Sequence, residues 1–222
     1  MNIRLLTPDD AEEWWRLRVE SLKCDPQALS ASLEDGQSLT VDDVRKRFNP
    51  DAENFFVMGA FEDAKLIGMA GFHRERSTKT RHKGRVWGVY VTPGSRGKGS
   101  GRKLLQALPD RAGSVDGVEQ ILISVATTQA AAIRLYHALG FKPFGVEPKA
   151  LKVDGQFIDE EYMALFPLGT QDSGLNKKSA LDFSVKDASA ALPQNCQTTN
   201  WIVESASYSV NVTLVIEDIR EG

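Results

Sequence analysis

The chain opens with a short apolar run, NIRLLT, whose alternation predicts a strand. Thr7 followed by Pro8 supplies an N-cap and an N1 proline, and Asp9, Asp10 and Glu12 fall in the first turn, where the helix dipole favours acids. Ala11, Trp15, Val19 and Leu22 follow at spacings of four, four and three, so the pattern predicts an amphipathic helix ending near Asp25-Pro26. Residues 27 to 50 are mixed, with a second short helix predicted over TVDDVRKRF and capped by Thr40. Three strands come next, NFFVMGAFE, KLIGMAGFHRE and RVWGVYVTP, the first two joined by a tight turn at Asp63-Ala64. The third is apolar at nearly every position, as expected of a central strand covered on both faces.

A glycine-rich stretch, GSRGKGSGRK, separates that strand from RKLLQALPDRAG, predicted to begin a helix that Pro109 ends or kinks. VEQILISVAT predicts a buried strand. TQAAAIRLYHALG predicts a helix with Ala132, Leu135, Tyr136 and Leu139 on one stripe and Gly140 just past its end. FKPFGVEP and EEYMALFPL close the series as strands, and GVEPKALKVDGQFIDEE reads as a hairpin turned at Asp154-Gly155. The order β, α, α, β, β, β, α, β, α, β, β predicts an α/β (α+β) fold, a mixed, mostly antiparallel sheet flanked by helices and not a doubly wound one.

Near Leu168 the pattern changes, so residues 1–168 are predicted as one domain and 169–222 as a C-terminal extension. Its first part is rich in Ser, Ala, Asn, Gln and Thr, a composition of linkers and disordered arms. In its last part Val210, Val212, Leu214 and Ile216 alternate as in a strand, so this part reads either as a disordered tail with a sticky end or as an extra edge strand packing on the main sheet or on a partner chain, which leaves room for a homodimer.

With 41% hydrophobic and 26% charged residues the composition is that of a globular protein, and no apolar run approaches the roughly 18 residues that span a bilayer. The N-terminus turns acidic by its ninth residue without an apolar signal segment, so the expected location is cytoplasmic, with no membrane partner. Cys24 and Cys196 are far apart and belong to no Cys/His cluster, which argues against a disulfide framework and a metal site. The formal charge of -3 is carried entirely by residues 170–222, which hold four basic and seven acidic side chains. Between Arg74 and Lys103, by contrast, ten Lys or Arg stand against one acid, Glu75. That local basic segment suits a small polyanion, and a chain otherwise near neutrality is not expected to bind nucleic acid.

Three phosphate-binding patterns compete for the glycine loop. A Walker A loop fails because Ser100 stands where its lysine belongs, and the dinucleotide fingerprint fails because Arg102 or Leu104 stands where its third glycine belongs. RxxGxG is satisfied by Arg96, Gly99 and Gly101, after an apolar strand and opening a helix. Glycines there let successive N–H groups point into one concavity, the helix N-terminus adds partial positive charge, and Arg96, Lys98, Arg102 and Lys103 add side-chain charge. The plain alternative is a glycine turn capping a helix on a solvated basic face.

A second motif, AxxLYxxxGF, runs from Ala132 through Leu135 and Tyr136 to Gly140 and Phe141. The two motifs at this spacing, with the predicted element order, resemble the GCN5-related N-acetyltransferase (GNAT) family over about residues 2 to 167. The resemblance implies the acyl-CoA N-acyltransferase fold and an acetyl-CoA-dependent N-acetyltransferase that moves an acetyl group to a small-molecule or peptide amine by direct attack in a ternary complex. Acetyl-CoA is then a cosubstrate, and no metal is expected. The resemblance places the pyrophosphate on the backbone of Arg96, Gly97, Lys98, Gly99, Ser100, Gly101 and Arg102, and the pantetheine arm along Val89, Tyr90 and Val91, with Gly88 as a bulge or close-approach residue. It makes Tyr136 the proton donor to the leaving thiolate. Gln129 stands where the family often has an asparagine that touches the cofactor, so that contact is kept, shifted or lost. The general base stays open among Glu75, His73 and His82, with Glu75 first. Acceptor choice is expected from PQALSASLEDG and the late hairpin, where Glu34, Asp35 and Glu147 can attract an ammonium. The alternative is a non-catalytic acyl-CoA-binding or sensing module that uses residues 169–222 to reach a partner.

Overall fold

The computed structural model describes residues 1–48, 54–167, 199–204 and 209–214, and the chain divides into two units, Met1–Ser173 and Gly174–Gly222. In the first unit seven strands form one sheet. Strands β1 (Asn2–Leu5), β2 (Phe55–Glu62), β3 (Lys65–Arg74) and β4 (Lys83–Val91) lie in sequence order, followed by β5 (Gln120–Ala126). The last two cross over: β7 (Gln156–Leu165) pairs with β5 and leaves β6 (Lys142–Val153) at the edge. Only β4 and β5 run parallel. The late hairpin is therefore part of the sheet.

Helices cover both faces. On one, Leu104, Leu105 and Leu108 of α4 (Ser100–Gly113) and Tyr136 of α5 (Ala130–Ala138) pack on Phe56, Phe72, Val86, Ile121 and Ile123. On the other, Trp14 and Leu17 of α1 (Ala11–Cys24) and Val44 of α3 (Val41–Arg47) pack on Val57, Leu66, Met69 and Tyr90. Each fully buried leucine contributes about 1.5–3 kcal/mol.

Local chemistry explains most boundaries. Thr7 and Asp10 form a capping box at the entry to α1, and Asp10 also takes both guanidinium nitrogens of Arg4 at 2.7 Å. Thr40 accepts from the Asp43 amide and caps α3 as predicted. Asp63-Ala64 and Asp154-Gly155 all have positive φ (47°, 67°, 49° and 80°), the two-residue hairpin geometry that matches strand twist.

In the first unit three elements differ from the predicted ones. A short helix, α2 (Leu33–Ser38), precedes α3 and is capped by a Ser32–Asp35 box inside a stretch too polar to show a periodic pattern. The inward stripe of α1 carries Trp14, 4% exposed, while Trp15 lies at the margin and donates its Nε1 to the Leu39 carbonyl at 2.7 Å. Adjacent tryptophans sit about 100° apart on a helix; edge contacts of Trp14 with Phe48 and Trp87 decide which one turns inward. Finally, α4 runs through Pro109. The proline deprives the Leu105 carbonyl of its donor, but Leu104, Leu105, Leu108 and Ala112, buried on both sides of it, keep the helix on the sheet.

The second unit contains β8 (Thr199–Glu204) and β9 (Ser209–Leu214), paired antiparallel from Thr199↔Leu214 to Glu204↔Ser209. The terminal segment is thus a hairpin where at most one strand was predicted. The predicted linker up to residue 198, Cys196 and Ile216 lie outside the described residues.

Candidate active site

The parallel pair β4–β5 is the place where the sheet opens. Pairing runs from Lys83↔Gln120 to Arg85↔Leu122, and from Val86 onward β4 has no strand partner on that side among the described residues. On its other side the register to β3 passes from Gly71↔Trp87 to Met69↔Tyr90, so Gly88 and Val89 together oppose Ala70. This is a β-bulge at Gly88, whose φ of +61° suits glycine. The bulge turns β4 away from β5 and leaves Val89, Tyr90 and Val91 without a strand partner on that side among the described residues.

The glycine loop follows at the end of that edge. Gly97 and Gly99 have φ of +76° and +83°, and α4 begins at Ser100. The first helical bond is from Lys103 N–H to the Gly99 carbonyl. Consequently the six N–H groups from Gly97 to Arg102 have no acceptor among the described residues. Positive-φ glycines, a helix N-terminus and the flanking Lys98, Arg102 and Lys103 make a cradle for an anion of several oxygens. The Arg96 guanidinium does another job: it pairs with Asp25, donates to the Val91 carbonyl at 2.8 Å and lies 5.3 Å over the Tyr90 ring. Its own N–H bonds to the Pro93 carbonyl, so Arg96 anchors the loop and the free donors start at Gly97.

On the α4–α5 face, Tyr136 is 5% exposed and packs 6.1 Å from the Phe141 ring. Gly140, φ +94°, ends α5 as predicted and lets the chain turn into the following strand. Burial pushes the Tyr136 phenol well above its ordinary range, so it stays protonated. Gln129 is the N-cap of α5 but makes no side-chain cap bond.

On the α1 face the candidate bases separate. Glu75 is bound to Arg85 Nε at 2.7 Å. His73 faces Arg85 across the β3–β4 pair; its Nε2 is buried without a partner, and burial lowers its proton affinity despite Glu75 nearby. His82 lies at the opposite end of β4, in a concavity with Arg74, Arg81, Asp116 and Glu119, away from the opening. Asp35 is occupied by its cap, accepting from the Ser32 N–H at 2.9 Å.

A further acid stands beside the opening. Counting on from Arg85↔Leu122, Gly88 falls level with Val125 and Val89 with Ala126, and Ala126 pairs with Glu160 of β7. Glu160 is raised above the usual carboxylate range by burial, against the pull of the Ser124 hydroxyl and with help from the like charge of Glu147. Glu147 in turn accepts a 2.6 Å hydrogen bond from Tyr162. No motif in the sequence marks Glu160, although the alternation in FIDEEYMAL, with Met163 inward, places Glu160 and Tyr162 together on the other face.

Comparison with known proteins bears on this arrangement. The acetyltransferase (GNAT) family model matches residues 13–141, more than half of the chain. The chain belongs to the GNAT family. An L-methionine sulfoximine/L-methionine sulfone acetyltransferase of Salmonella typhimurium is 34% identical over 109 residues, 49% of this chain and 63% of that protein. The chain thus spans somewhat less than two thirds of that relative. The yncA protein of Salmonella typhimurium, solved with its cofactor acetyl-CoA, superposes with a TM-score of 0.65 and 26% identity over 82% of this chain and 98% of that one. A GNAT acetyltransferase of Streptococcus pneumoniae has the same fold, with a TM-score of 0.68 at 23% identity over 74% of this chain and 98% of that one.

Within the GNAT frame the glycines of the loop have different physical reasons. Gly97 and Gly99 are required by their backbone angles. A Cβ on Gly101 meets only Leu135 at 3.6 Å and Val91 at 3.7 Å, ordinary contacts, so neither conformation nor packing demands glycine there.

Proposed function

We propose that the protein is an acetyl-CoA-dependent N-acetyltransferase acting on a primary amine in a ternary complex. The observation that carries this reading is the run of six unpaired N–H groups from Gly97 to Arg102 at the end of the opened β4 edge. They suit a pyrophosphate, and Val89, Tyr90 and Val91 suit an extended amide-bearing arm that pairs like a strand. Acetyl-CoA, when bound, supplies the acetyl group already activated as a thioester.

The chain's own groups do the rest. A backbone N–H at the bulged end of β4 holds the charge that develops on the carbonyl oxygen. Tyr136, kept protonated by its burial, gives its proton to the sulfur. Glu160 takes the proton lost by the acceptor nitrogen, directly or through water; its raised proton affinity brings it closer to that of the group it serves. Glu75, held by Arg85, orders the neighbouring strand ends. The bond formed is C–N, the bond broken is C–S, and no covalent enzyme intermediate is needed. The Salmonella relative named for methionine sulfoximine and methionine sulfone supports a small amine as acceptor.

Mixing the protein with acetyl-CoA and a panel of amines, with thiol release followed, tests the reading. Amine-dependent release is expected. CoA binding by calorimetry with no release on any amine would replace it with the non-catalytic acyl-CoA-binding module. Gly101→Ala is expected to weaken CoA binding about tenfold while leaving Tm unchanged, since its Cβ finds only ordinary contacts in the protein.

A further inference from the structure

Arg18 has no role in the scheme above, and its surroundings are unusual. It sits on α1 between the inward turns of Trp14, Leu17 and Leu22. Its Nη1 is closed to solvent and has no hydrogen-bond partner. No carboxylate pairs with it among the described residues, although Arg16, two positions away, pairs with both Glu13 and Glu20. Burial lowers its proton affinity with no compensating acid nearby. A guanidinium nevertheless stays charged at any working pH, so the fold holds a partly desolvated cation with no ion-pair partner among the described residues.

The direction of the group is informative. The position of a Cβ on Gly88 lies 3.5 Å from Arg18 Nη1, so the guanidinium is aimed at the β4 bulge. It approaches from the α1 face, whereas Tyr136 belongs to the core of the α4–α5 face. Glu160 stands across the opening at the same level as the bulge. In a direct displacement the amine arrives on a different side of the carbonyl carbon from the departing sulfur, which puts the acceptor on Arg18's side. The phosphate cradle is a separate place, beyond the end of β4 at Gly97–Arg102.

We infer that Arg18 is a specificity residue that binds a carboxylate of the acceptor, so that the acceptor is an amino acid, with its ammonium on Glu160 and its carboxylate on Arg18. This rests on the acetyltransferase reading and names its substrate class. The planar fork of a guanidinium matches a carboxylate's two oxygens, and in a water-poor site the pair is stronger than on a surface. A cation held without a partner is then ready for that ligand. Decarboxylated amines and carboxamides leave the charge unpaired and are rejected.

The test pairs L-methionine, L-glutamate, L-lysine and glycine with their α-carboxamides. Binding to the CoA-loaded protein is measured by calorimetry and turnover by thiol release, in the wild type and in Arg18→Met and Arg18→Lys. At least one acid is expected to bind tenfold or more tightly than its amide, with the same preference in kcat/KM. Arg18→Met removes the preference at unchanged CoA affinity, and Arg18→Lys restores part of it. Because no partner is lost, the Tm of Arg18→Met holds or rises. Equal binding of acids and amides by the wild type, binding of no acid, a preference that survives Arg18→Met, or a fall in its Tm would each overturn the inference. So would an equal loss of kcat/KM on both members of every pair, which would place Arg18 on the thioester. Binding preference without turnover on any amine would leave the carboxylate anchor standing and defeat the acetyltransferase reading alone.

Discussion

Tyr136→Phe lowers kcat about a hundredfold, within the range that a positioned proton donor contributes, and leaves CoA affinity and Tm where they were. The hydroxyl makes no hydrogen bond among the described residues, so its removal strands no partner, and the ring keeps its packing against Phe141. Burial holds the phenol protonated well above neutrality, so the wild-type profile shows no alkaline limb from this residue between pH 7 and 10. Steady-state kinetics, calorimetry with CoA and a thermal melt check the three parts. Unchanged kcat removes Tyr136 from proton donation; lost CoA binding makes it a packing residue of the cofactor wall.

Glu160→Gln lowers kcat/KM by about 10² to 10³ near neutral pH. As a base, Glu160 works only when it has lost its proton, so the wild-type rate falls as pH drops through its folded value, which lies above the ordinary carboxylate range. In the Gln variant that limb flattens. Stability moves the opposite way. The folded protein holds the Glu160 proton more tightly than the unfolded chain does, so the charged carboxylate is penalised in the native state at pH above the folded value. That penalty disappears below the unfolded value, about 4.3. Thermal melts should therefore show the Gln variant above the wild type at pH 8 and level with it near pH 4. An activity loss with an unaltered pH profile would point to Glu75 or His73 as the base.

How far the site was legible in the sequence depends on the kind of residue. The glycine loop was readable because positive φ and unpaired helix-start N–H groups follow from a local string, and Gly97 and Gly99 have the angles that string requires. The turns at Asp63-Ala64 and Asp154-Gly155, the Thr40 cap and the α5 stripe with Tyr136 were readable for the same reason: each depends on neighbours within a few positions. Trp14 and Trp15 both satisfy the helical period, and the predicted stripe takes Trp15 because only the contacts of Trp14 with Phe48 and Trp87 distinguish them. The Arg96 side chain, counted with the phosphate site, turned out to tie the loop to Asp25, 71 residues away in the chain.

The sequence by itself determined the strands of the main sheet, most of its helices, the glycine turn that opens α4 and, through two motifs at a fitting spacing, the GNAT family. Only the tertiary structure decided the surroundings of the charged groups. Glu160 acquires its raised proton affinity from burial between strands, and Arg18 its isolation from packing under α1 against the Gly88 bulge. Neither property exists in the local string. Desolvation and the absence of a partner are set by every element packed around a side chain, and these elements come from across the first 165 residues.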